Sequence, residues 1–207
     1  MAYSEFTFDR LEQQFDLILQ DQVELFESIQ PVTPSSLLQA VLAENIPLAL
    51  EIDTEKARSE MIVAPILIEL RKQFNRQIAL FSGTEFDVDR AKGLNGRCDF
   101  LISHSPLQVG VTAPVAILVE AKNDNIKSGI PQCLAAMIGA QLFNEQKNNA
   151  ISHIYGGVTT GSLWKFLKLV GKTAFIEASE HFVGDVASIL GILSFAIAET
   201  RPIVVNK

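Results

Sequence analysis

"VAILVEAKND", residues 115–124, is the stretch on which the folding of this chain turns. Five apolar residues run straight into Glu120, and Ala121, Lys122 and a polar turn follow. A short apolar run ending in a polar turn reads as a buried strand, and charge is expensive to bury there unless it is partnered. Side chains alternate along a strand, so Glu120 and Lys122 share one face while Val119 and Ala121 take the other. The two charged residues stand ~7 Å apart along the strand, too far for a tight pair but close enough to share a bound group.

A second apolar run upstream, "CDFLIS" (98–103), carries Asp99. If strands over 97–103 and 115–122 are neighbours, Asp99 and Glu120 converge. Two carboxylates that close repel each other, and one must take up a proton unless a cation lies between them. All-oxygen ligation suits a hard divalent ion, Mg²⁺ or Mn²⁺, whose bound waters can serve as nucleophiles. A nearby ammonium can orient such a water or steady charge building on a phosphate. This is chemistry for phosphodiester hydrolysis.

Working outward, residues 7–29 place Phe8, Leu11, Phe15, Ile18, Leu19, Gln22 and Phe26 near helical spacing, which predicts one amphipathic helix with an acidic face. "PVTPSS" (31–36) breaks it, and "SLLQAVLAEN" predicts a short second helix ended by Asn45 and Pro47. A third helix is expected over about 55–74, with Pro65 starting a fresh turn or bending it. Strands follow near 78–89, 97–103 and 115–122, with Asn95-Gly96 as a two-residue hairpin turn. A helix over about 131–146, opened by Pro131, leads to strands in "ISHIYGGVTT", "SLWKFLKLV" and "KTAFIEA". The apolar segment "VASILGILSFAIA" (186–198) closes the chain as a buried helix or a homodimer contact. This order predicts an α/β sandwich around a mixed sheet. The expected division is an N-terminal helical extension over 1–54 and the main domain over 55–207.

Nearly half of the 207 residues are hydrophobic and 20% are charged, which fits a soluble globular chain. The longest apolar stretch falls short of the ~18–20 residues of a membrane helix, and no leader pattern is seen, so no membrane is expected. Cys98 and Cys133 form neither a disulfide framework nor a CxxC pair, and a reducing cytoplasm is the expected location. The net charge of −7 argues against a nucleic-acid binder when taken alone. Its distribution changes that. Residues 1–60 hold 12 acids and 3 bases, a balance of −9, whereas residues 61–207 hold 14 bases and 12 acids, a balance of +2. "GKT" (171–173) lacks the earlier glycine of a P-loop, since Phe166 stands in its place. His104, His153 and His181 have no close ligand spacing.

"RCDFLIS" followed about twenty residues later by "ILVEAKND" resembles the PD-(D/E)xK, or restriction-endonuclease-like, nuclease superfamily. "ARSEMIVAPILIEL" resembles its first core helix and "IPQCLAAMIGAQLFN" the helix after the lysine strand. "YGGVTTGSLWKFLKL" is similar to the following strand pair in the nuclease domains of type I restriction enzymes. The resemblance covers roughly residues 55–170, with Cys98 where the name-giving proline would stand. It implies an α-β-β-β-α-β core and a Mg²⁺-dependent deoxyribonuclease, with Mn²⁺ as substitute. Asp99 and Glu120 would then be metal ligands, aided by the main-chain carbonyl of Ala121, with Glu60 binding the metal through water or taking a second ion. Lys122 would orient or help deprotonate the attacking water, and Gln132 would position Lys122 or a water. Arg90, Lys92, Arg97 and Lys127 are candidates for phosphate contacts with DNA. The rival expectation is a catalytically inactive nuclease-fold protein that contacts a protein partner, for which the acidic N-terminal helices are the candidate surface.

Overall fold

The front of the chain departs from the single helix expected over 7–29. In the computed structural model, which describes residues 2–149 and 151–201, helix α1 (Phe8–Phe15) stops at Asp16, whose φ of 53° is left-handed. Strand β1 (Ile18–Val23) follows. Phe8, Leu11 and Phe15 do keep helical spacing, but a helix this short gains little from its own hydrogen bonds. The backbone beyond it is captured by a sheet edge, where the Ile18 N–H donates to the Lys172 carbonyl at 2.8 Å. The turn carries no glycine, so the usual mark of a helix end is missing from the sequence.

Helix α2 (Ser36–Ile52) also outruns expectation, with Pro47 inside it instead of ending it. An interior proline costs ~3 kcal/mol. Packing offsets this, because Leu38, Leu42 and Ala49 are all buried on one stripe, and Asn45 Nδ2 donates to the Met61 carbonyl at 2.9 Å. A short helix α3 (Glu55–Arg58) then runs through a π-helical turn (Ser59–Val63) into α4 (Ala64–Gln73). Pro65 opens α4, and the irregularity of this rod is the π turn just before it.

The remaining elements are β2 (Ala79–Glu85), β3 (Arg97–Ser103), β4 (Val115–Ala121), α5 (Ile126–Gln146), β5 (Ile154–Thr159), β6 (Leu163–Val170), β7 (Thr173–Glu177), the two-residue β8 (His181–Phe182) and α6 (Val186–Glu199). From α3 to β5 the order is therefore helix, three strands, helix, strand. All eight strands form one mixed sheet in the order β1-β7-β6-β5-β4-β3-β2, with β8 pairing β6. Pairs β1–β7 and β4–β5 are parallel, the others antiparallel. Asn95-Gly96 is not the β2–β3 turn. The chain reverses at a single 3-10 turn, Arg90–Lys92, closed by Gly93 at φ 74°. Gly96 instead receives the Phe86 N–H at 2.8 Å, and Asn95 receives the Tyr3 N–H at 2.9 Å.

The sheet separates two cores. One face packs on α2, the π turn, α4 and α6 through residues such as Ile62, Leu67, Phe100, Val119 and Leu193. The other packs on the N-terminal turn, α1 and α5 through Tyr3, Leu11, Leu101, Leu118 and Leu134. Strand β4 lies between both and is buried throughout, which accounts for its unbroken apolar run. Asn144 of α5 pins its start, accepting from the Val115 N–H at 2.7 Å and donating to the Val115 carbonyl at 2.9 Å. The apolar residues of α6, Ile189 to Leu193 with Ala196 and Ile197, are buried in the chain's own core. Residues 2–54 contribute a strand and side chains to the same sheet and cores as the rest, so they are not a helical appendage. Among the described residues no helix is long and apolar enough to cross a membrane.

Candidate active site

Strands β3 and β4 are antiparallel neighbours with Phe100 opposite Val119, so Asp99 and Glu120 come next across the pair. Asp99 Oδ2 accepts the Ala121 N–H at 2.8 Å, standing in for a backbone acceptor at the end of the ladder. Glu120 is 0% exposed. Its Oε2 accepts from Gln132 Nε2 at 2.7 Å, while its Oε1 is buried with no hydrogen-bond partner among the described residues. Gln132 Oε1 in turn accepts from Lys122 Nζ at 3.1 Å. One amide thus joins the buried carboxylate to the ammonium, and α5 supplies it. The strand end is fixed from the other side by the Lys122 N–H, which donates to the Thr159 carbonyl of β5 at 2.8 Å.

Helix α5 comes close enough to leave no room for a side chain at Gly129. A Cβ there would lie 2.6 Å from Val158 Cγ1 and 3.0 Å from Lys122 Cε and Cγ. The stem of Lys122 therefore crosses α5 at its glycine, one turn before Gln132, and the ammonium is held from both ends.

Burial pushes the Glu120 carboxyl well above the usual carboxylate range; the neighbouring Asp99 carboxylate pushes the same way, and only Lys122 opposes. Glu55 adds a further upward push. Burial raises the Cys98 and Cys133 thiols too, and the Glu120 charge adds to both, which leaves them inert packing groups beside the pair.

A cleft of about 220 Å³ opens beside the pair, lined by Glu55, Ser59, Glu60, Gly83, Asp99 and Ala121 among others. Glu60 reaches its rim with a side chain 61% exposed and ion-paired to Lys56 at 2.8 Å. Glu60 thus shares the cleft wall with Asp99, while among the described residues no three His, Cys, Asp or Glu side chains gather as a ready metal cage. Through the π turn, α3 and its continuation line the cleft with Glu55, Ser59 and Glu60 together. Glu55 was not singled out in the sequence; its only mark is its place after the helix-capping Thr54.

The donor set fits a hydrated hard cation. Mg²⁺ commonly binds through one or two carboxylates and keeps several waters. Two adjacent carboxylates, one with an unpartnered buried oxygen, match that pattern, with Ala121 on the cleft wall. The expected phosphate contacts are dispersed. Arg90 pairs with Asp87, Lys92 with Asp89 at 3.4 Å, and Arg97 with Glu85 at 3.2 Å, none of them lining the cleft. Lys127 faces a different cavity, on the α5 side of the β4 end. No protein-family model matches the chain, and no curated protein matches it in sequence.

Proposed function

We propose that the protein is a metal-dependent nuclease of the PD-(D/E)xK kind that hydrolyses phosphodiester bonds in DNA. The observation that carries this reading is the pairing of half-buried Asp99 with fully buried Glu120, whose Oε1 has no hydrogen-bond partner among the described residues, joined through Gln132 to the ammonium of Lys122. The helix–three strands–helix–strand order from α3 to β5 supports the matching core. Asp99 and Glu120 would hold Mg²⁺, or Mn²⁺ in its place, with the Ala121 carbonyl beside them. The bound ion supplies Lewis-acid activation of water and neutralises charge on the phosphate. Lys122 orients the attacking water and stabilises the developing negative charge, and Gln132 keeps its ammonium pointed at the pair. The test is Mg²⁺- or Mn²⁺-dependent cleavage of mixed DNA substrates by the wild type, Asp99→Ala and Lys122→Ala. Loss in both variants is expected; equal activity in all three overturns the reading.

A second reading is a non-catalytic protein of the same fold that acts as a scaffold. What favours it is the ion pair of Glu60 with Lys56 at the rim, which engages one of the cleft's carboxylates within the protein. Calorimetric titration with Mn²⁺ separates the two: a scaffold shows no binding that depends on Asp99 and Glu120.

A further inference from the structure

On the far side of the β4 end from the Asp99 cleft lies a cavity of about 370 Å³, lined by Arg58, Asn123, Lys127, Thr160, Leu163 and Glu180 among others. Its walls continue the candidate site directly, since Asn123 follows Lys122 and Arg58 precedes Ser59. Arg58 is 14% exposed and held rigidly. It donates to the Thr160 carbonyl at 3.2 Å and Ser162 Oγ at 3.3 Å, and it pairs with Asp53 at 2.8 Å. Its Nε and the Asn123 Oδ1 are buried with no hydrogen-bond partner among the described residues. Leaving such atoms unsatisfied costs ~1–3 kcal/mol each, so a ligand with both donors and acceptors gains by entering. Lys127 is exposed and has no carboxylate paired to it among the described residues.

The same wall extends into a second cavity of about 230 Å³, which shares Ile126, Lys127 and Glu180 with the first. Its remaining lining is Phe8, Ile130 and Ile176 together with Asp21, Gln22 and Lys165. The groove therefore runs from a hydrogen-bonding stretch of mixed charge near the candidate centre, where Arg58 and Lys127 stand beside Asp124 and Glu180, to a more apolar stretch at its end.

Resting on the nuclease reading above, we infer that this groove is the path of a single DNA strand leaving the centre, with Arg58 and Lys127 holding a phosphate and the apolar end taking an unpaired base. Duplex DNA fits the groove poorly. Tracking a duplex takes many cations along both backbones, and here Asp21, Asp124 and Glu180 share the walls with the bases. A concave surface of Phe8, Ile126, Ile130 and Ile176 takes a base face only after the base leaves its stack, as in single-strand recognition.

The test is fluorescence anisotropy with a single-stranded oligonucleotide of about twelve nucleotides, its duplex and the matching RNA strand, with Ca²⁺ replacing Mg²⁺, alongside Mn²⁺ calorimetry. The wild type should bind the single DNA strand at least about tenfold more tightly than the duplex. Lys127→Glu and Arg58→Lys should each weaken that binding about five- to tenfold, and Lys127→Glu, which removes a cation, should lower the slope of log K against log salt by about 0.7, while Mn²⁺ binding stays intact. Phe8→Ala should weaken only the single strand. Should Arg58→Lys fail to fold, Lys127→Glu, at the surface, carries the test. Unchanged DNA binding in the variants, or a preference for duplex, overturns the groove assignment while Mn²⁺ binding keeps the nuclease reading standing. Tighter binding of the RNA strand overturns the assignment to DNA. Absence of both Mn²⁺ and DNA binding brings down the two together.

Discussion

Glu120→Gln offers a measure of how strongly the site needs a cation. In the metal-free protein Glu120 is buried against Asp99, and the folded state resists its ionisation. The sign follows from linkage. A carboxyl whose folded pKa is raised subtracts stability at pH above its unfolded value of 4.5, because the unfolded chain releases the proton first. Whatever the folded value, the loss at pH 7 is capped, since the carboxyl can always keep a proton at ~1.4 kcal/mol per pH unit above its unfolded pKa. From 4.5 to pH 7 that cap is ~3 kcal/mol. Glutamine is nearly isosteric and can still accept from Gln132 Nε2, so Glu120→Gln should raise stability by up to ~3 kcal/mol, about 5–10 °C in Tm for a chain of this size. Mn²⁺ at a hundred times its Kd should stabilise the wild type by ~2.7 kcal/mol and leave the variant unmoved. Thermal and urea melts between pH 5 and 8, with and without Mn²⁺, read both effects. If metal-free Glu120→Gln is several kcal/mol less stable than the wild type, the carboxylate is held by Lys122 as a structural ion and the reasoning fails.

Gly129→Ala should destabilise the fold by ~1–3 kcal/mol, because its Cβ meets Val158 at 2.6 Å and Lys122 at 3.0 Å; urea melts would show it, and a neutral result would mean that α5 is not held against β4 as described. Asn144→Ala strips both hydrogen bonds from Val115 in a buried setting and should cost ~2 kcal/mol or more, read as a lower urea midpoint. His104, within 2.9 Å of Thr200 Oγ1, is lowered from 6.5 to about 4, first by burial and then by the Arg201 charge. The unfolded chain therefore binds this proton first as pH falls, and up to ~3 kcal/mol of stability should be lost between pH 6.5 and 4. His104→Gln should flatten that part of the stability-against-pH curve; an unchanged slope would place the acid sensitivity elsewhere.

Those parts of the site that rest on strand parity were legible in the sequence. Asp99 and Glu120 each sit in a short apolar run bounded by polar turns, which reads as a buried strand, and Lys122 follows at the same-face spacing. Gln132 was legible only through the family resemblance. The rest depends on tertiary structure. Glu55 and Glu60 line one cleft because of the π turn, which no period of 3.6 anticipates. Strand β1 exists because β7 offers an edge to a segment whose apolar residues also satisfy a helix. The hairpin turns at Gly93 because Asn95 and Gly96 are occupied by the N-terminal segment and Phe86. The neutralisation of Arg90 and Lys92 was visible in principle, since Asp87 and Asp89 precede them by three residues.

The acidity of the front of the chain takes on a different meaning once the fold is in view. Tyr3, Leu11 and Leu17 belong to one core and Phe26, Leu38 and Leu42 to the other, so this segment is built into the sheet's support and is no detachable cover over the site. Several of its charges are the site's own surroundings: Glu55 and Glu60 line the Asp99 cleft, and Asp53 holds Arg58. A cleft walled by Glu55, Glu60 and Asp99, with Lys56 as the one cation among its lining residues and Glu120 buried beside Asp99, is acidic on balance and disfavours a polyanion. On the proposed reading the metal then has two tasks, to activate water and to make the cleft electrostatically open to a phosphodiester. On that reading the acids of the front segment that line or adjoin the cleft, Glu55, Glu60 and Asp53, count against DNA only until a cation is bound.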